Sequence, residues 1–357
     1  MPDSEHDNVR TMWSEDELDT ALTALRPAED PDDRTFRLGR AELLVAAGAR
    51  EPLPEPVRRR RWAWWTAAIG TVTAVAASVL VVQTVQYGGP ESDAAAIEQL
   101  NLAADRVSVV DEPIGPGEYR YIATHAWWMA TMDEYSYLAE NVLETWVPPE
   151  RHQEWLLRRE VTGARKWLSG TEEEARADGH PVDGPMWPEG EWRAPCGDFY
   201  AAESGEEPCR GKGSWQQPTP EFLAGVPTGT QELYDRLRAD TSGRGSDPDL
   251  EMVVYVADAL RTGQVPAQVR AAMYRVLAKV PGIQITEQVA NLDGRRGTAY
   301  GISAAGARHD IIVDPGTGQF IGERQIAVDG YDDIPAGTVT EYTSVTTTVV
   351  PAIGVRP

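Results

Sequence analysis

Cysteine is scarce in this sequence, which has only Cys196 and Cys209 in 357 residues. Two cysteines without a histidine nearby cannot complete a tetrahedral zinc site. The five histidines do not supply one, because none has a metal-ligand spacing to another. In an exported stretch rich in Gly and Pro such a pair favours a disulfide, and we predict one between Cys196 and Cys209.

Catalytic motifs are missing as well. The sequence has no Gly-x-Ser-x-Gly elbow, Walker loop or His-Glu-x-x-His element. Runs of carboxylates, such as Glu172 to Glu174, are more typical of solvated surfaces than of acid and base pairs. We therefore predict a protein that is not an enzyme, with no catalytic residue, no cofactor and no bound metal.

Positive charge is in short supply. The chain has 33 Lys and Arg against 56 Asp and Glu, which gives a net charge of -23. The first 61 residues account for 14 Asp and Glu and 10 Arg, a net of -4, so -19 lies in the rest of the chain. This balance argues against binding nucleic acid or anionic lipid by bulk charge.

One long interval lacks charge altogether, from Trp62 to Pro90. At about 1.5 Å per residue its apolar part, Trp62 to Val82, spans roughly 30 Å as a helix, which is the thickness of a bilayer core. A soluble core helix would show a polar stripe, and a secretion signal would follow a shorter leader and precede an Ala-x-Ala site. We interpret residues 58–87 as a basic stop and a retained transmembrane helix.

The flanks of this segment predict its orientation. A run of arginines precedes it and acidic residues follow it, and positive charge stays on the cytoplasmic side of a membrane. We expect residues 1–57 in the cytoplasm and residues 88–357 outside it, in a single-pass protein held in the lipid bilayer of the cell membrane. The residues expected at the inner membrane surface are Arg58, Arg59, Arg60, Arg61, Trp62, Trp64 and Trp65.

The predicted cytoplasmic tail, residues 1–57, has the pattern of two short helices. A capping box opens the first at residue 14, and its apolar face repeats at Leu18, Leu22 and Leu25. Two such helices bury little core alone. Either the tail is disordered with nascent helices, or the leucines dock in a groove of a cytoplasmic partner. A zinc-bearing anti-sigma domain is excluded, because no cysteine precedes residue 196.

Residues 88–357 carry strand patterns on both sides of a helical middle. Aromatic and β-branched runs begin at residues 118, 135 and 154, and further strand patterns follow residue 281. A helix is predicted at residues 94–107, and others lie between residues 219 and 280. This order predicts an α+β domain in which an antiparallel sheet has one face covered by helices.

Two further features of this domain bear on function. The first strand places Tyr119, Tyr121 and Trp127 on one face, since alternate residues of a strand point the same way. These three are our candidates for lining a groove. Residues 170–217 are acidic and rich in Gly and Pro, and we expect a long loop stapled by the two cysteines.

The layout as a whole resembles a known family. The tail, the single span, "ETWVPPERHQEWLLRREVTGARKWLSG" and "IIVDPGTGQFIGERQIAV" are similar to actinobacterial single-pass membrane proteins that are often encoded beside extracytoplasmic-function sigma factors. More distantly, the domain resembles the half-barrels of lipoprotein-carrier and sigma-pathway sensor proteins. That resemblance implies a curved, half-barrel-like sheet whose apolar groove is capped by helices.

Three functions follow as hypotheses. The first, which we favour, is a non-enzymatic regulator or sensor of the envelope state whose tail binds a cytoplasmic partner such as a sigma factor. The second is a membrane-anchored carrier of a lipid or lipopeptide, an apolar envelope ligand held in the aromatic groove. The third is an envelope hydrolase, which would need clustered acid and base residues that no motif indicates.

Overall fold

Among the described residues of the computed structural model, nine strands form one antiparallel, open, curved sheet. The structure describes residues 92–107, 111–182, 187–199, 207–331 and 333–357. The strands are β1 (Tyr119–Met132), β2 (Tyr135–Val147), β3 (Glu154–Ser169), β4 (Gly190–Pro195), β5 (Gln284–Ala290), β6 (Arg296–Ala304), β7 (Ala307–Val313), β8 (Phe320–Ala327) and β9 (Thr338–Val350). The predicted α+β class with an antiparallel sheet is confirmed.

Two runs of consecutive strands build the sheet. Its order is β4-β3-β2-β1-β9-β8-β7-β6-β5, so the first run, β1 to β4, and the second, β5 to β9, join where β1 pairs with β9. Short turns connect β1 to β2, β6 to β7 and β7 to β8. The predicted hairpin at "DPGTG" is one of them, with the amide of Gly318 bonded to the carbonyl of Asp314 at 2.8 Å.

The helices lie between the two runs of strands in sequence, apart from two in the first half of the domain. Helix α1 covers the residues predicted for it, and Pro at the first turn opens two of the later helices, where its missing N–H costs nothing. They are α1 (Ala94–Val107), α2 (Glu172–Ala177), α3 (Pro220–Ala224), α4 (Thr230–Asp240), α5 (Pro248–Arg261) and α6 (Ala267–Leu277).

The main hydrophobic core lies between these helices and one face of the sheet. Leu100 of α1, Val256 of α5 and Met273 of α6 are fully buried there. The sheet contributes Ile122 of β1 and Tyr300 of β6, among others, to the same cluster. Helices therefore cover one sheet face, as predicted, and we call the opposite side the open face.

The segment 170–217 differs from its prediction in one respect. The disulfide between Cys196 and Cys209 is present, with the two Cα atoms 5.3 Å apart, so that prediction is confirmed. The segment is not a structureless loop, however, because it contains α2 and β4. Strand β4 pairs with β3 from Glu154 to Arg159 and extends the sheet. Six residues with alternating charges, "GEWRAP", carry too little hydrophobic pattern to be recognised as a strand.

The tail and the predicted span, residues 1–87, lie outside the described residues, so Leu18, Leu22, Leu25 and the Arg and Trp residues at 58–65 do too. Within the part of the chain that the structure describes, no helix combines the length and apolar character needed to cross a bilayer.

Candidate functional site

The open face carries the aromatic residues that the sequence singled out. Tyr119, Tyr121 and Trp127 alternate with Ile122, which faces the helices, so all three lie on the open face. His125 of the same strand lies between them. Two short chain segments, residues 291–295 and 351–357, contact this face and define the site.

A buried carboxylate forms the centre of the first part of the site, which we call the Glu144 pocket. Glu144 of β2 has only 5% of its side chain exposed. Its Oε1 accepts a hydrogen bond from the hydroxyl of Tyr121 at 2.7 Å, and its two oxygens accept from Nε and Nη2 of Arg356, both at 2.6 Å. Arg158 of β3 lies 3.5 Å away. Burial alone would raise the pKa of Glu144, but the bonds from Arg356 and Tyr121 lower it below its ordinary value.

Apolar side chains surround this carboxylate. Trp146 is fully buried, and its ring centroid lies 5.2 Å from that of Tyr121. Leu156 and Val350 complete the cluster, and Ile353 packs against it. The Glu144 pocket therefore combines an apolar wall with one ion-paired carboxylate.

Residues 351–357 occupy the Glu144 pocket. Besides the two bonds from Arg356, the indole Nε1 of Trp146 donates to the carbonyl of Val355 at 2.7 Å. The segment is neither helix nor strand. It lies against β1 to β3 in the way that a bound peptide would.

The second part of the site is an ion-paired bridge at His125. Its Nε2 lies 2.8 Å from Glu140 of β2, and its Nδ1 lies 2.8 Å from Asp293 in the turn between β5 and β6. Since both nitrogens face carboxylates, these contacts favour the charged imidazole, which can donate from both nitrogens. Burial lowers the pKa of His125, but the bonds to Asp293 and Glu140 outweigh this and raise it.

The same turn is tied to the sheet by further bonds. Ser344 of β9 donates to Asp293 at 2.5 Å, and the side-chain amide of Asn291 donates to the carbonyl of Ile321 at 2.9 Å. Arg295 donates to the carbonyl of Val345. The turn therefore contacts β8 and β9 as well as β1.

The candidate groove residues contact neighbouring side chains of the open face. Trp127 stacks on Tyr342 of β9, with ring centroids 6.4 Å apart. The ammonium of Lys166 lies 3.6 Å from the centre of the Trp127 ring. Tyr121 belongs to the Glu144 pocket, while Tyr119 is half-buried beside it. Aromatic rings on the open face are thus packed against both apolar and charged side chains.

A second cluster of charge lies on the opposite, helix-covered side of the sheet. Arg261 of α5 donates to Glu323 of β8 at 2.6 Å, and His309 of β7 lies 3.0 Å from the other oxygen of Glu323. Asp258 of α5 and Glu341 of β9 approach the same arginine. We call these five residues the α5 cluster.

The carboxyl groups of the α5 cluster differ in the direction of their pKa shifts. Burial would raise the pKa of Glu323, but the charge of Arg261 and the bond from His309 lower it. Burial raises the pKa of Asp258 and of Glu341, and the charge of Glu323 adds to both shifts. Arg261 therefore stabilises the charged form of Glu323 more strongly than the charged forms of Asp258 and Glu341.

The sequence patterns indicated neither the ion pairs of the open face nor the α5 cluster. In the sequence His125 and His309 are isolated histidines, and their carboxylate partners are contributed by other strands and turns. Glu144 and Arg356 are 212 positions apart. A local motif cannot report a pair of that separation.

The fold also brings together one group with the composition of a metal site. The ligand atoms of Asp133, Glu134 and His180 lie within 4.8 Å of one another. They adjoin an open cavity of about 320 Å³ lined by Glu134, Tyr135, Ser169, Gly170, Glu174, Ala177, Asp178 and Asp333. A second group combines His152 with Cys196 and Cys209, whose sulfurs are committed to the disulfide.

Comparison with solved structures finds chains of similar structure. A chain of the Pseudomonas aeruginosa MucA/MucB complex is similar over 72% of this chain and 58% of its own length, with 9% sequence identity and a TM-score of 0.22. The chain thus spans less than two thirds of that protein. No protein-family model and no curated protein matches the sequence.

Proposed function

We propose that the protein is a non-enzymatic, single-pass membrane regulator whose extracytoplasmic domain responds to a ligand or to the state of the envelope. The observation that carries this proposal is the open face, where two chain segments are held by ion pairs. His125 pairs with Asp293 in one segment, and Glu144 pairs with Arg356 in the other. Such contacts depend on protonation and on competing charges, which suits a sensor.

The membrane part of the proposal rests on the sequence. The uncharged interval after Arg61 and the preceding arginines support a span with a cytoplasmic N-terminus. In this arrangement residues 1–57 bind a cytoplasmic partner through Leu18, Leu22 and Leu25, and residues 88–357 lie outside the cell membrane. The resemblance of the sequence to membrane proteins that are often encoded beside extracytoplasmic-function sigma factors makes a sigma factor the partner to test first.

Co-purification tests the tail. The full chain, extracted in detergent, is expected to retain a sigma factor of the same cell. Leu22→Asp places a charge on the apolar helix face and should abolish retention, because that face would no longer bury in a groove. Thr20→Asp, on the opposite face of the same predicted helix, is the matched control and should retain it. Loss in neither variant, or no retention by the wild-type chain, contradicts the proposal.

Native mass spectrometry separates this function from a lipid carrier. A regulator of the proposed kind is expected to leave detergent without a stoichiometric lipid bound to residues 88–357. A lipid that stays bound, and that is lost on Trp127→Ala but not on Trp215→Ala on the helix side, would favour the carrier instead.

A further inference from the structure

Residues 351–357 and the Glu144 pocket have the features of a peptide in its binding site. We infer that the Glu144 pocket is a docking site for an arginine-bearing segment of another protein, and that residues 351–357 occupy it as a built-in competitor. The inference concerns the open face alone and does not depend on the tail binding a sigma factor.

The geometry of Glu144 selects arginine. Its two oxygens take Nε and Nη2 of Arg356, both at 2.6 Å, which is the paired arrangement that only a planar guanidinium can offer. Tyr121 fixes the carboxylate by donating to Oε1 at 2.7 Å. A lysine could make one of these bonds at a time, so the pocket distinguishes the two cations.

The backbone before the arginine is held as well. Trp146 donates its indole N–H to the carbonyl of Val355 at 2.7 Å, a contact that any residue type at that position can make. Two positions earlier, Ile353 packs on the cluster of Tyr121, Trp146 and Leu156. The preferred ligand is therefore an irregular peptide with an aliphatic residue three positions before an arginine.

The bound segment can leave without stranding a buried charge. Arg158 lies 3.5 Å from Glu144 and 5.1 Å from the Trp146 ring centroid, so a second cation remains beside the carboxylate. The segment itself is weakly buried, with Val355 40% exposed and the side chain of Arg356 58% exposed. Its departure therefore exposes little apolar surface of its own.

Charge complementarity favours a cationic partner. The chain carries a net charge of -23, and most of that lies after the predicted span. Such a field raises the association rate of a basic segment. We commit to a separate protein as the source of that segment.

Fluorescence anisotropy with the labelled peptide PAIGVRP tests the site in the full chain. Arg356→Ala weakens the built-in competitor, so this variant is expected to bind the peptide at least about tenfold more tightly than the wild-type chain. Arg193→Ala, which removes a surface arginine from β4, is the matched control and should behave like the wild type. Two changes should each weaken binding at least about tenfold relative to Arg356→Ala with the unmodified peptide. One is a peptide with Ala in place of its arginine, and the other is the double variant Arg356→Ala and Glu144→Gln.

Circular dichroism confirms that each variant is folded, and the outcomes then decide the question. Equal and negligible binding by the wild type and Arg356→Ala would show that residues 351–357 are a fixed part of the fold, and would overturn the inference. Binding that is unchanged when the peptide arginine or Glu144 is substituted would also overturn the inference. A dimer that forms through exchange of this segment, seen by size-exclusion chromatography, would assign the site to a second copy instead of a separate protein.

Discussion

His125 has both ring nitrogens against carboxylates, which couples the open face to pH. Its raised pKa means that the folded protein binds this proton more tightly than the unfolded chain does. The resulting stabilisation is complete below the ordinary histidine pKa and is lost as pH rises through the higher pKa of the folded state. Because a quarter of the side chain is exposed, we expect a contribution of about 1 kcal/mol.

Urea unfolding of the full chain between about pH 5.5 and 8.5 measures this contribution. The difference in unfolding free energy between the wild type and His125→Gln should be largest at the acidic end and should shrink as pH rises. His152→Gln, which removes an exposed histidine elsewhere on the domain, is the control. A difference for His125→Gln that grows with pH would contradict the charged bridge.

Within the α5 cluster, two carboxylates should respond to substitution in opposite ways. Glu323→Gln removes the ionised partner of Arg261 and His309, and breaking a buried pair of this kind costs about 3 kcal/mol. Glu341→Gln removes a carboxylate whose pKa is raised by burial and by Glu323, so it should be neutral or stabilising. Thermal unfolding of the two variants checks both signs. Equal losses would show that Arg261 does not distinguish these acids.

At the level of elements, the turn between β7 and β8 holds α1 against the sheet. Gly318 has φ +73° in that turn, and a Cβ at this position would collide with the carbonyl of Ala103 and lie 3.1 Å from the amide of Val107. Only glycine both adopts a positive φ readily and lacks the Cβ that would clash with α1. Arg106 reaches back from the helix to the carbonyl of Pro315.

Gly318→Ala should therefore destabilise the fold by about 2–4 kcal/mol, through left-handed strain and a steric clash. Gly316→Ala in the same turn is the matched control. Its φ is not positive and a Cβ there would meet only the carboxylate of Asp314, so a change below about 1 kcal/mol is expected. Chemical denaturation measures both variants. Similar losses in the two would mean that the approach of α1 does not constrain the turn.

The elements divide sharply into those that the sequence predicts and those that it does not. Helix α1 was predicted at its observed bounds, because its apolar residues recur at helical spacing, and the strand β2 was predicted to begin at residue 135, where it does begin. Strand β4 was not, because its pairing with β3 and the disulfide supply the order that its own residues lack. The ion pairs of the site were not predicted either, since Glu144 meets Arg356 only after β1 has paired with both β2 and β9.

For the whole molecule, the orientation of the predicted span determines which compartment the open face contacts. We expect an impermeant maleimide, added to intact cells after an impermeant reductant, to label Cys196 and Cys209. A cysteine introduced as Thr11→Cys, in the tail, should be labelled only after permeabilisation, because positive charge holds residues 1–57 inside. Labelling of position 11 in intact cells would reverse the topology.

An open sheet leaves backbone groups unpaired along its two outermost strands, and such edges template aggregation. Strand β4 limits this hazard by being six residues long, by carrying Glu191 and Arg193, and by ending at Pro195. At the other edge, the register of β5 shifts between Ile285 and Glu287, which twists the strand, and the amide of Asp93 caps the carbonyl of Ile283. A protein concentrated in the plane of a membrane would gain from both devices, since they keep neighbouring copies from joining sheet to sheet.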